Sequence, residues 1–152
     1  MTTRTPPRSP RRRSAHGEAG SVAVEIALLA PALVLVLGLL VAGGRLWFAR
    51  TTVVEAAQTS ARAASLARSP AEASAVGADA GRQSMATAGL RCQQSSVRVS
   101  TAAFAVPVGT PATVTSDVTC SVPFGDVLLP GLPGSLNLTG RGSAALDTYR
   151  AR

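Results

Sequence analysis

The chain has 152 residues, a net charge of +7 and only five aromatic residues, three Phe, one Trp and one Tyr. This length allows one compact domain at most, and with so few large side chains its core must lean on Ala, Val and Leu. The charge suggests a nucleic-acid binder until its distribution is considered. Arg4, Arg8, Arg11, Arg12 and Arg13 face only Glu18 in residues 1–20, whereas the rest of the chain is nearly balanced, so no nucleic-acid partner is expected.

Residues 1–20 form a Pro-, Ser- and Arg-rich leader with no hydrophobic periodicity, expected to be disordered. Basic residues just ahead of a span set its orientation, which predicts a cytoplasmic N-terminus and an extracytoplasmic C-terminal domain in a single-pass membrane protein. His16, alone in this tail, is given no role.

A transmembrane helix is predicted over residues 21–48. From Ile26 to Gly44 there are nineteen residues without an ionisable side chain, close to the roughly 20 that cross about 30 Å of hydrocarbon. Pro31 removes one backbone hydrogen bond inside this run and predicts a kink, which membrane helices tolerate. Arg45, Trp47, Phe48 and Arg50 close the run as an interfacial anchor, with amphipathic rings at headgroup level and guanidinium groups reaching water.

Residues 49–89 read as a helical stalk and a second helix. No Gly-Pro break follows the aromatic belt, so the first helix is predicted to run on to about Arg68. Its Ala content favours helix but supplies little core, so the stalk must pack against something else. Ser69, Pro70 and Glu72 then spell an N-cap, a first-turn proline and a capping-box acid. They start a second helix that Gly89 is placed to end.

Residues 90–152 are expected to form a small β-containing head. Val114, Ser116, Val118, Cys120 and Val122 alternate with polar residues, the period of a half-buried strand. Val97 and Val99 open a similar segment reaching toward Val106, and Pro107, Gly109 and Pro111 suit the loop of an antiparallel hairpin. Phe124 to Ser135 reads as a loop with an apolar tip. Leu136, Leu138 and Leu146 mark a weaker third strand that Gly140 and Gly142 should break. The predicted fold class is α+β: a long N-terminal transmembrane helix with a helical extension, a second helix and a small antiparallel sheet.

Cys92 and Cys120 both fall on the exported side of this topology, where an isolated pair is expected to form a disulfide. After the leader there is no His, no G-x-S-x-G elbow and no cluster with metal-ligand spacing. The reading is therefore a non-enzyme without cofactor, metal or small-molecule substrate.

Gly20 directly before Ser21, with Glu25 as the fifth residue after that glycine, matches the type IV prepilin pattern of leader, cleavage-site glycine, acid and apolar helix. A glycine before the scissile bond allows close backbone approach by a peptidase at the membrane face. A carboxylate at the edge of hydrocarbon calls for a partner, here the new α-amino group of Ser21 on a neighbouring subunit. With Ala30–Pro31, the Leu- and Val-rich span, the aromatic belt and the Ala-rich extension, this stretch resembles the TadE-like family of pseudopilins of tight-adherence (Flp) pili. Ile26 stands where major Flp pilins have Tyr, and the chain is far longer than those pilins. The resemblance therefore implies a minor pseudopilin or assembly factor processed by prepilin peptidase. Its partners would be the membrane, other pilin or pseudopilin subunits and the assembly machinery, with release to a surface pilus after cleavage. The alternatives are an unprocessed single-pass anchor carrying an exported scaffold, and a secreted protein with a conventional signal peptide.

Overall fold

A computed structural model describes residues 19–127 and 131–147, with side chains from residue 24 onward. The leader is expected over residues 1–20; residues 1–18 lie outside the described residues, while Ala19 and Gly20 already belong to the first helix. The chain divides into two units, one ending at Leu39 and one beginning at Leu40, and each has its own character.

Helix α1 is one continuous element, Ala19–Ser65, with Pro31 inside it. It begins two residues before the predicted start and ends three before the predicted end. In the first unit its side chains are exposed on every side, Leu28, Leu29, Leu33 and Leu35 among them. An all-round apolar surface is what a helix surrounded by lipid or by other apolar helices presents.

In the second unit the same helix becomes one-sided. Ala49, Thr52, Val53, Ala56, Ala57, Ser60, Ala61 and Ala64 are buried, an i, i+3, i+4, i+7 stripe of small side chains. This stripe lies on a three-stranded antiparallel sheet made of β1 (Gln94–Ser100), β2 (Ala112–Pro123) and β3 (Ser135–Leu146) in the order β1-β2-β3. The stalk's missing packing partner is thus the head's own sheet.

The α+β class is as the sequence implied, with two differences in the strands. β1 stops at Ser100 rather than reaching toward Val106, because Ala102–Ala105 turn into a short 3-10 helix that buries Ala103 and Phe104. Phe104 is one of few large side chains available, and seating it in the core outweighs further edge pairing. β3 is not broken at Gly140 and Gly142: its ladder with β2 pairs Ser116 with Gly142 and Val118 with Gly140. The glycines are where α1 lies closest. A Cβ built on Gly140 would stand 2.6 Å from the Val53 carbonyl oxygen, and one on Gly142 would overlap the Ala57 carbonyl.

Helix α2, Pro70–Thr87, packs over β1 and against α1 through the same device. A Cβ on Gly77 would meet Val99 at 2.8 Å and the Ser60 carbonyl at 3.1 Å, and one on Gly81 would meet Val97 at 3.1 Å. Ser69 caps the helix by accepting from the Glu72 amide, while the Glu72 carboxylate accepts from the Arg68 amide at 3.0 Å. The box closes one residue earlier than the usual pattern. Gly89, with φ +73°, turns the chain out of the helix. A one-turn helix α3, Phe124–Val127, follows β2.

The core is thin, as the composition required: the largest completely buried side chains are Val53, Val114, Val118 and Val122. Between helix and sheet a buried hydroxyl pair, Ser116 donating to Ser60 at 2.8 Å, satisfies both groups.

Candidate functional site

The residues singled out in the sequence sort along α1. Gly20 and Ser21 occupy its first turn. Glu25 lies one turn beyond Ser21, exposed, and forms no ion pair or hydrogen bond among the described residues. From Ile26 to Leu40 every side chain is exposed, so this carboxylate heads an otherwise apolar cylinder. Among the described residues of the first unit nothing is placed to neutralise it.

In the second unit, Arg45, Trp47, Phe48 and Arg50 share about one and a half turns of α1. Trp47 is 72% and Phe48 57% exposed, values that large rings reach in a folded chain only where they face lipid, a partner or bulk water. Thr51 donates its hydroxyl to the carbonyls of Trp47 (3.2 Å) and Phe48 (2.9 Å), keeping its polar atom against the helix backbone. Beside this belt α1, the α2–β1 connection and α3 enclose an open groove of about 650 Å³. Arg45 and Phe48 line one side, and Leu90, Arg91, Asp126 and Val127 line the other. Sequence reasoning missed Arg91 and Asp126. The one available signal was Cys92, since its bond to Cys120 fixes where the adjacent Arg91 must lie.

Cys92 and Cys120 are joined, with Cα atoms 5.4 Å apart. The bridge ties the segment leaving α2 to the central strand, and Cys120 is fully buried in the larger core cluster.

The face of the sheet opposite the helices carries polar side chains. Arg98, Asp117 and Arg141 stand opposite one another across the three strands. Arg141 donates to Asp117 at 2.7 Å, and this hydrogen bond, then the carboxylate's charge, raises the guanidinium pKa. Ser96 and Thr119 hydroxyls bond on the same face at 2.8 Å. Both interactions are exposed and hold strand register more than they add stability.

Among the described residues one helix is long and apolar enough to cross a membrane, and with the small disulfide-bonded α+β head this fits a membrane-anchored class of chain. Residues 20–62 match the family model described as TadE-like protein, so this segment is similar to that pilin-like, pilus-associated family. The matched stretch begins at Gly20, includes Glu25, Pro31 and the aromatic belt, and ends within the stripe that seats the sheet. No curated protein and no solved structure matches the chain.

Proposed function

We propose that this chain is a non-catalytic minor pseudopilin or assembly factor of a tight-adherence (Flp) pilus, cut by a prepilin peptidase between Gly20 and Ser21. The observation that carries the reading is the coincidence, inside the TadE-like segment, of Gly20 and a carboxylate five residues later at the head of an uncovered apolar helix. In this reading Ile26–Gly44 spans the membrane with the leader in the cytoplasm and residues 45–152 outside. Arg45, Trp47, Phe48 and Arg50 rest at the outer headgroup layer. Cleavage creates an α-amino group at Ser21. Packing of the apolar helices then buries it beside Glu25 of a neighbouring subunit, where opposite charges in low dielectric fix axial register.

The sharpest test is the N-terminal sequence of the protein recovered from membranes and from sheared surface material. It should read Ser-Val-Ala-Val-Glu, and Gly20→Leu should leave the leader attached. A start after Ala42 or Gly44 would identify an ordinary signal peptide, and retention of residues 1–20 would identify an unprocessed anchor.

A further inference from the structure

We infer that the groove beside the aromatic belt is a binding site for the phosphate headgroup of an anionic phospholipid. The inference rests on the proposed insertion of the apolar part of α1, because that places the groove where hydrocarbon ends: Arg45 is the first ionisable residue after the nineteen-residue run. The groove is lined by two arginines distant in sequence, Arg45 from α1 and Arg91 from the α2–β1 connection. Neither is in an ion pair or a hydrogen bond among the described residues. Two arginines lining one cavity suit a phosphate, whose oxygens accept the fork of donors that a guanidinium presents. Phe48, Leu90 and Val127 give the same cavity an apolar wall for the glycerol backbone and first methylenes of an acyl chain. Asp126 lines the cavity too, so the site carries two positive charges against one negative and favours a net anionic headgroup over a zwitterionic one.

Basic residues flanking the exported end of a span oppose the orientation set by Arg4, Arg8, Arg11, Arg12 and Arg13, so Arg45 weakens the topology signal it adjoins. A phosphate ligand gives that charge a use.

The sole tryptophan, Trp47, precedes the groove residue Phe48 in sequence and serves as the reporter. The full chain would be reconstituted in phosphatidylcholine vesicles containing a minor fraction of phosphatidylglycerol, with brominated acyl chains placed on one lipid or the other. Brominated phosphatidylglycerol should quench Trp47 beyond its mole fraction, with an enrichment of roughly fivefold for each guanidinium engaged. Arg45→Gln and Arg91→Gln should each lower the enrichment by about that factor. Arg50→Gln, at the belt but outside the groove, should leave most of it, and Asp126→Asn should raise it, a gain that a misfolded variant would not give. Equal quenching by both lipids would overturn the site while leaving insertion intact, and so would equal losses in the Arg50 and Arg91 variants. Binding of inorganic phosphate that Arg45→Gln and Arg91→Gln abolish, with no quenching preference between the two lipids, would assign the groove to free phosphate and overturn the lipid. No quenching by either lipid would instead refute membrane insertion, the reading on which the site depends.

Discussion

At Gly142 the sheet rests directly on the backbone of α1, and a methyl group there has nowhere to go. The nearest atoms are the Ala57 carbonyl and the Gln58 amide nitrogen, main-chain atoms that cannot rotate aside. Gly142→Ala should therefore destabilise the head by about 1–3 kcal/mol or more, as overpacking does when backbone must shift. Gly44→Ala, where an added Cβ meets nothing within 4 Å, should be neutral or stabilising. Thermal unfolding of both variants in detergent, followed by circular dichroism, separates them. An unchanged midpoint for Gly142→Ala would mean the helix and sheet are not in backbone contact. The same residue explains why part of the fold was illegible in the sequence: a glycine in a strand pattern signals either a break or a close approach. Only the position of α1, many residues away in sequence, decides between them. Arg91 was hidden for the same reason, whereas the Gly20 and Glu25 pattern from which the proposed processing site is argued is local in sequence.

Elements were readable where their signals lie within one turn and obscure where they depend on a partner. Ser69, Pro70 and Glu72 located the start of α2 to the residue, and the alternation around Val118 located β2. The end of β1 was misjudged because Thr101–Ala105 have no local reason to leave an extended conformation. Their reason is the site that Phe104 fills. The disulfide fastens the exit of α2 to the central strand of a sheet whose core is mostly valine and alanine, with Met85 and Leu138 beside them. Closing a loop of about 29 residues contributes roughly 3–4 kcal/mol in the chain-entropy model. Reduction should then lower the unfolding midpoint of the head by roughly 10–20 °C, and Cys92→Ser/Cys120→Ser should do the same without reductant. A shift of only a degree or two in either experiment would show that helix-to-sheet packing holds the head unaided.

The whole molecule joins two kinds of surface on one helix: an apolar cylinder headed by a single carboxylate, then a stripe of small residues that carries an α+β head. A charge at the head of such a cylinder weakens insertion, so under the proposed function it must contribute elsewhere. Replacing Glu25 makes the helix more apolar, and neither insertion nor cleavage at Gly20 should suffer. Assembly should fail, because the Ser21 amine of a neighbouring subunit would be buried without its counter-charge, at a cost of about 3–5 kcal/mol when fully buried. Glu25→Ala is accordingly expected to reach the membrane at normal levels, to yield the Ser-Val-Ala-Val-Glu start with alanine in the fifth place, and to leave cells without pili or be missing from the sheared pilus fraction. Glu25→Gln should behave in the same way, since an amide keeps the size but cannot balance an ammonium group. Immunoblots of membrane and sheared fractions, with N-terminal sequencing, distinguish these steps. Normal piliation with either variant would reduce the carboxylate to a group resting among lipid headgroups, and would favour a permanent anchor over an assembling subunit.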